Sequence, residues 1–360
     1  MSVKAEYKEV NLKRKSVLFL SVIMIMTLFL PSCKSNSSSK NDKLQIVTTV
    51  FPAYDWTREV LGEQIDNVDL TMLLDSGTDL HSYQPTADDI AKISDCDVFI
   101  YVGGESDDWV DDALKEAKNK DMKVINLLDT LGDKAKEEES KEGMQADEDH
   151  EHEHDHDGDH HDKHEHDHDG DHHDDDNDED EPEYDEHVWL SLKNAKLLVQ
   201  AISDKLSEAD SSNSETYAAN AKSYIDKLSE LDASYAKAAK DGSKKTMVFA
   251  DRFPFRYLTD DYDIDYYAAF NGCSAESEAS FETVIFLAKK IDELGLNSIM
   301  KIESKDNKIA QSVKDNTAKK NQQILTMNSM QSITAKDVKD GATYMSIMQD
   351  NLKTFTEALK

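Results

Sequence analysis

Two sets of short apolar segments, separated by helix-length stretches, constrain the fold of this chain more than any other feature. The first set lies at 44–50, 68–74, 95–102 and 122–128, and the second at 246–250, 263–270, 298–303 and 322–327. These segments are rich in β-branched and aliphatic side chains, which is typical of buried parallel strands. Strands that alternate with helices favour βαβ units. The sequence therefore predicts an α/β protein with two parallel-sheet lobes.

The region between the two sets is predicted to be helical. Ser191 is a candidate N-cap for a helix through NAKLLVQAISDKL, and a longer helix is predicted from Glu215 to about Lys240. Its apolar side chains recur at helical spacing and form one stripe, made of Tyr217, Ala221, Tyr224, Leu228 and Leu231. We expect this long helix to join the two lobes.

Residues 133–186 interrupt the pattern with a highly charged insert. The ten residues EHDHDGDHHD occur twice, at 153–162 and at 165–174. Of the 75 acidic residues, 23 lie between Asp147 and Glu186, where Lys163 is the only basic one. Eleven of the 13 histidines lie here as well: His150, His152, His154, His156, His160, His161, His164, His166, His168, His172 and His173. With almost no apolar side chain, the insert is predicted to be disordered.

The composition of the insert favours metal binding, and the charge of the whole chain argues against other partners. A net charge of −34 argues against nucleic acid and anionic membrane surfaces. Alternating His and Asp side chains supply overlapping donor sets without fixed geometry, so several weak sites for zinc, nickel or copper are expected. Calcium is an alternative guest because DHDGD occurs twice, although no complete EF-hand spacing is present. An inert solvated spacer is the other alternative.

The N-terminal segment is typical of a secretory signal. Lys13, Arg14 and Lys15 precede the largely apolar run at 17–30, which is short for a membrane span. The run leads into Leu30-Pro31-Ser32-Cys33, which resembles a bacterial lipobox and implies cleavage before Cys33 and its acylation. An uncleaved anchor helix is the alternative. For the cysteines that follow, Cys96 and Cys273, we expect two free thiols, although spacing alone does not exclude a disulfide.

Two histidines lie outside the insert, and each lies at the end of a predicted strand or helix, where a ligand could bind. His81 comes after the strand that ends near Leu74, and His187 directly precedes the helix predicted after Ser191. In open α/β sheets ligands bind beyond the carboxyl ends of the strands. Neutral imidazole is the commonest protein ligand for transition metals. The two histidines therefore form a candidate metal site.

Taken together, these features resemble the metal-specific solute-binding lipoproteins of zinc and manganese ABC importers. The similarity covers roughly residues 44–360 and is most specific at HVWLS, which follows the acidic His-rich loop. It implies two Rossmann-like lobes joined by a long rigid helix, with the metal in the cleft between them. It also implies that His81 and His187 are two of the ligands.

The resemblance also implies ligands from the second lobe. Family members place a His or Glu after the first strand of the second lobe, where this chain has Ala250 and then Asp251. Asp251 is a candidate ligand, or else it caps the next helix or pairs with a nearby arginine. Glu278 is a candidate ligand, a group that orients a histidine, or a helix cap. Asn328 and Gln331, near the family's fourth position, are weak neutral ligands.

The resemblance implies an extracytoplasmic receptor that passes a divalent metal to the permease of an ABC importer. We expect Zn²⁺, with Mn²⁺, Ni²⁺ and Cu²⁺ as alternatives, a monomer, and membrane attachment through a lipid on Cys33. A surface metal buffer or adhesin of the same fold is the alternative function. No enzyme is expected, because HExxH and G-x-S-x-G motifs are absent. The predicted units are a signal peptide (1–32), a tether (33–43), a first lobe (44–132), the insert (133–186), the end of that lobe with the linking helix (187–240) and a second lobe (246–360).

Overall fold

The predicted strands are all present and form two parallel sheets. The computed structural model of the protein describes residues 43–145, 183–274, 278–304 and 306–360. Within them the first sheet has the order β2-β1-β3-β4 and the second the order β6-β5-β7-β8, and all neighbouring strands are parallel. The strands are β1 (Leu44–Thr48), β2 (Val68–Met72), β3 (Val98–Tyr101), β4 (Lys123–Asn126), β5 (Thr246–Phe253), β6 (Asp265–Asn271), β7 (Ser298–Lys301) and β8 (Gln323–Thr326). The α/β fold with two lobes is thereby confirmed.

The helices begin where local hydrogen-bonding signals predict. Thr86 and Asp89 form a reciprocal capping box at the start of α2, and the Ser191 side chain accepts a hydrogen bond from Asn194 N at the start of α5. The helices are α1 (Phe51–Leu61), α2 (Ala87–Asp95), α3 (Trp109–Lys115), α4 (Leu127–Leu131), α5 (Leu192–Ala209), α6 (Ser214–Asp241), α7 (Arg256–Asp261), α8 (Phe281–Leu294), α9 (Lys308–Asn316), α10 (Ala335–Lys339) and α11 (Tyr344–Ala358). In the described residues none of them is long and apolar enough to cross a membrane.

The long helix α6 packs against both lobes, as its apolar stripe predicts. It contacts α1 of the first lobe and α11 of the second. Its buried face includes all five residues of the predicted stripe and continues to Tyr235, whose hydroxyl donates to Met348 O at 2.7 Å. Because one helix shares apolar surface with both lobes, it restricts how far they can rotate against each other.

Buried side chains also join the lobes close to the predicted cleft. Trp189 is fully buried, and its indole Nε1 donates to the carbonyl of Ser329 at 2.8 Å. The hydroxyl of Tyr344 donates to the carbonyl of Trp189 at 2.7 Å, and the Tyr344 N–H donates to Asp55 Oδ2 at 2.8 Å. The segment that follows the insert is therefore fixed against the second lobe as well as the first.

The structure differs from the prediction at both ends of the insert. Residues 133–145 and 183–186 were assigned to it, yet they have defined positions. Glu137 and Tyr184 form an antiparallel bridge, which brings the two ends of the insert together. Gln145 N then donates to the carbonyl of Ala269 in β6 at 2.9 Å. Backbone pairing and contacts with the second lobe stabilise these ends, and a pattern that considers only apolar content does not detect such contacts.

A close approach explains one glycine of this docked segment. Gly143 has φ of 88°, and a Cβ added there would lie 2.1 Å from the ring of Phe286 in α8. Only glycine fits this contact without a shift of the ring.

The first strand of the second lobe is longer than predicted. The sequence suggested that it ends at Ala250, but β5 continues to Phe253 with a register shift between Phe249 and Arg252. Helix α7 consequently begins only at Arg256. A β-bulge accommodates the irregular residues, so the strand pairs with β6 beyond the point where its apolar pattern stops.

Several predictions fall outside the described residues. They are the signal peptide, the acylation of Cys33, and metal binding by the eleven histidines from His150 to His173.

Candidate metal centre

His81 and His187 meet at the carboxyl ends of the strands, as predicted. His81 lies in the single turn Leu80–Ser82 that follows β2, and His187 directly precedes the turn Val188–Leu190. The two residues are 106 positions apart in sequence, yet their Nε2 atoms lie 3.2 Å apart. The fold therefore brings together the two histidines that do not belong to the insert.

The separation of the two Nε2 atoms matches tetrahedral metal coordination. Zinc binds imidazole nitrogen at ~2.0–2.1 Å, and a tetrahedral angle then places two such nitrogens roughly 3.3 Å apart. The observed separation of 3.2 Å agrees with this value. A metal ion on the bisector of the two rings would thus require little movement of either side chain.

A carboxylate and a backbone contact fix the orientation of His187. Its Nδ1 lies 2.9 Å from Asp185 Oδ1, and the same oxygen accepts the His187 backbone N–H at 2.9 Å. An Nδ1–H that donates to this carboxylate leaves the Nε2 lone pair free for a ligand. His187 is fully buried, and its ring packs edge-on against Trp189 with centroids 5.4 Å apart.

A serine hydroxyl orients His81, and a second carboxylate lies close to the same ring nitrogen. Its Nδ1 lies 2.9 Å from Ser106 Oγ and 3.3 Å from Glu186 Oε2. Glu186 Oε1 in turn accepts the backbone N–H of Ser106 at 2.8 Å. A Cβ on Gly104, which has φ of 80°, would lie 2.5 Å from that oxygen, so this glycine leaves space for the carboxylate.

The surroundings of the histidines are acidic and partly buried, which favours a cation. Asp107, whose carboxylate accepts N–H groups from Val102 and Gly103, is 3 % exposed. Burial, together with the charge of Glu186, raises the pKa of Asp107 to about 7. Carboxylates crowded in this way repel one another, and a bound dication would offset that repulsion.

One further metal-binding side chain lies beside the two histidines, and the sequence did not indicate it. Among the described residues, Cys273 forms a cluster with His81 and His187 in which one ligand atom of each lies within 4.8 Å of the others. Cys273 and Cys96 are both free thiols, as expected. Burial and then the charges of Glu138 and Asp185 raise the pKa of the Cys273 thiol well above its usual value.

The two acidic residues proposed from the sequence do not belong to this cluster. Asp251 Oδ1 accepts the N–H of Arg252 at 3.0 Å, and its Oδ2 accepts the N–H of Ile302 at 3.3 Å. Its carboxylate therefore ties β5 to the end of β7. Glu278 is exposed, and both residues line a neighbouring cavity of about 530 Å³. The cap of α8 is Ser280, not Glu278. Ligation by Asp251 or Glu278 stays a prediction that these contacts do not favour.

Two polar side chains occupy the remaining side of the histidine pair. Gln331 Nε2 lies 2.9 Å from His187 Nε2, so the residue considered for the fourth position does contact the site. Asp79 Oδ1 lies 4.0 Å from His81 Nε2, and Asp79 Oδ2 pairs with Arg252 Nη2 at 2.6 Å. Although burial opposes its ionisation, the charges of Arg252 and His81 hold the pKa of Asp79 below its usual value.

A comparison with protein families decides the relationship. The family model described as "Zinc-uptake complex component A periplasmic" matches residues 46–358. The chain belongs to this family. The match begins in β1 and ends in α11, so it spans both lobes.

Similar proteins within the family are known in sequence and in structure. The chain is 32% identical to the zinc-binding lipoprotein AdcA of Streptococcus pneumoniae over 349 residues, 96% of this chain and 61% of that protein. It thus spans about three fifths of the length of that relative. It is 29% identical to the high-affinity zinc uptake system protein ZnuA of Bacillus subtilis, with 91% of each chain covered. The crystal structure of the Zn(II)-bound ZnuA-like domain of Streptococcus pneumoniae AdcA superimposes with a TM-score of 0.64 at 28% identity, covering 88% of this chain and 99% of that one.

Sequence reasoning missed the residues that lie beside the Nδ1 atoms of His81 and His187. Asp185 and Glu186 directly precede His187 in the motif DEHVWLS, and that adjacency was the available signal. Ser106 offered no signal, because only the fold brings it to His81. Metal-binding histidines usually donate their second ring N–H to a carboxylate. An acidic pair beside a candidate histidine therefore indicates residues that orient its ring.

Replacing Asp185 with Asn tests whether orientation of His187 matters for binding. The substitution preserves shape but removes the charge that fixes the Nδ1 proton, so we expect zinc affinity to fall by about 10- to 100-fold. Competition with a chromophoric chelator measures the affinity, and Asp350→Asn, at an exposed residue that pairs with Lys353, serves as the matched control. Equal affinities for the two variants would contradict an orienting role.

Proposed function

We propose that this protein captures a divalent transition metal, zinc in the first place, and delivers it to the permease of an ABC importer. The observation that carries the proposal is the histidine pair. Two imidazoles present their Nε2 atoms 3.2 Å apart, and each has a carboxylate beside its Nδ1. This arrangement of a carboxylate, a histidine and a metal is the one that tightly binding zinc sites use.

The chemistry of the cluster and the relatives support zinc over manganese. Imidazole and thiolate suit zinc, nickel and copper, whereas manganese prefers oxygen donors. No carboxylate of the described residues belongs to the three-residue cluster. AdcA is named as a zinc-binding lipoprotein and ZnuA as a zinc uptake protein. We therefore propose Zn²⁺ as the cargo.

Capture and release would involve the loops at the cleft more than a large closure of the lobes. Helix α6 packs against both lobes, and Trp189 and Tyr344 connect them beside the site. His187 lies immediately after the insert, and Asp185 is held by the backbone of Lys136 at 2.8 Å. Loosening this short segment would release Asp185 and His187 together, which is a local route for handing the ion to a permease.

The location and the remaining partners are also part of the proposal. A lipid on Cys33 would hold a monomeric receptor on the outer side of the membrane, next to the permease. Relatives named as lipoproteins and a family described as periplasmic support an extracytoplasmic location. A family named for metal uptake supports a binding role without catalysis. The eleven histidines of the insert would bind metal at several weaker sites.

Metal stoichiometry tests the proposal. Zinc bound per chain would be compared between the protein and a variant in which the eleven insert histidines are replaced by asparagine. We expect the variant to lose several weak equivalents and keep one tight equivalent. Cells that carry the unaltered protein should also accumulate labelled zinc faster than cells that carry His81→Ala. Loss of every tight equivalent in the insert variant would overturn the two-site account.

A further inference from the structure

We propose that the thiolate of Cys273 is the third protein ligand, which makes the cleft a His₂Cys site selective for thiophilic divalent cations. The inference rests on the proposed function, because it deepens the same site. Neither the sequence pattern nor the family resemblance indicated a cysteine ligand. Its consequence is discrimination: zinc, cobalt and cadmium accept thiolate sulfur readily, and manganese does not.

The possible ligand atoms of Cys273, His81 and His187 lie close together. One ligand atom each of Cys273, His81 and His187 lies within 4.8 Å of the others. Tetrahedral zinc with Zn–S of ~2.3 Å and Zn–N of ~2.0–2.1 Å places sulfur and nitrogen roughly 3.6 Å apart. The difference is on the order of 1 Å, which rotation about the Cys273 Cα–Cβ bond and a small shift of its loop can supply.

Hydrogen bonds on both sides of Cys273 hold its backbone in place. Glu138, near the start of the insert, accepts the Cys273 N–H through Oε1 at 3.3 Å and the Asn271 side-chain amide through Oε2 at 3.1 Å. Arg252 Nη1 donates to the carbonyl of Ser274 at 3.2 Å. The thiol is therefore carried by a fixed turn at the end of β6, not by a loose surface loop.

The turn that carries Cys273 packs closely against the His187 ring. A Cβ on Gly272 would lie 3.0 Å from Cε1 and 3.1 Å from Nδ1 of His187. The residue before Cys273 thus lies directly against the imidazole, and a larger side chain there would displace the ring. Glycine at this position lets the turn that carries Cys273 pack closely against His187.

The position that the family resemblance indicates for the third ligand lacks a suitable donor in this chain. The position after the first strand of the second lobe holds Ala250, which has no donor atom, and Asp251 is occupied by two backbone N–H groups. The neighbouring strand β6 carries Cys273 at its end instead. The site would then be four-coordinate. Two imidazoles and one thiolate supply three ligands, and water or the Gln331 amide takes the fourth position.

Cobalt substitution tests this inference, because a thiolate bound to Co²⁺ gives an intense ligand-to-metal charge-transfer band in the near ultraviolet. The protein would be prepared with Cys33→Ser and Cys96→Ser, so that Cys273 is its only thiol, and with the eleven insert histidines replaced by asparagine. We expect one equivalent of Co²⁺ to produce the band, and one equivalent of Zn²⁺ to abolish it by displacement. Excess Mn²⁺ should not abolish it.

A second variant separates the ligand assignment from the function itself. Adding Cys273→Ser should remove the charge-transfer band and lower zinc affinity by roughly 100-fold, while the weaker d–d bands of histidine-bound cobalt persist. Cobalt bound with d–d bands that His81→Ala removes, but without the charge-transfer band, would overturn Cys273 as a ligand and leave the proposed function standing. Absence of any cobalt or zinc binding in the cleft would overturn both.

Discussion

Replacing both His81 and His187 with alanine is expected to lower the affinity of the tight site for zinc by at least about 1,000-fold. Each imidazole supplies one metal–nitrogen bond, and removing even an orienting partner of such a ligand costs 10- to 100-fold. The Nε2 atoms of the two rings lie 3.2 Å apart, close to the spacing of two ligands of one tetrahedral ion. Titration against a chelator of known affinity, in the background without insert histidines, measures the effect.

The control for this prediction uses the insert. In the protein with its insert intact, the double substitution should remove one tight equivalent and leave the weak equivalents unchanged. Circular dichroism of the metal-free proteins should show the same secondary structure, whereas the urea midpoint of the variant should fall, because the buried His187 ring packs against Trp189. A tight equivalent that survives the double substitution would show that the metal is held elsewhere.

Replacing Trp189 with alanine is expected to lower the free energy of unfolding by about 3–5 kcal/mol. The indole is fully buried, so the substitution leaves a large cavity beside His187. It also leaves the carbonyl of Ser329 without the 2.8 Å hydrogen bond that Nε1 donates. Urea unfolding monitored by circular dichroism measures the loss, and zinc affinity should fall as well because the ring that supports His187 is gone.

Trp189→Phe is the matched comparison for that substitution. It keeps most of the aromatic packing and loses the hydrogen bond to Ser329, so the expected cost is about 1–2 kcal/mol. If the alanine variant were as stable as the phenylalanine variant, packing between the two lobes at this point would not contribute as described.

Local patterns predicted the elements of this fold well. Short β-branched runs identified the strands, and Thr86 and Ser191 marked helix starts that the structure confirms. The stripe from Tyr217 to Leu231 identified the long helix, because a 3.6-residue period has one interpretation over that length. Patterns failed where tertiary contacts decide. β5 continues past Ala250 through a bulge, and residues 133–145 are placed by pairing with the other end of the insert and by contacts with the second lobe.

The site was predictable to the extent that its residues are chemically distinctive and adjacent to recognisable elements. His81 and His187 were identified because only two histidines lie outside the insert. Asp251 was proposed from its place after a strand, but in the structure its carboxylate accepts backbone N–H groups that no sequence pattern reveals. Ser106 and Cys273 come from distant segments, and only the fold brings Ser106 to His81 and Cys273 to within 4.8 Å of both histidines.

The most direct test of the central claim is a crystal structure of the zinc-loaded protein with anomalous data collected on both sides of the zinc absorption edge. We predict one strong anomalous peak in the cleft, within ~2.0–2.1 Å of Nε2 of both His81 and His187. A fully occupied zinc position that contacts neither imidazole, with no peak between them, would contradict the claim that this pair holds the metal.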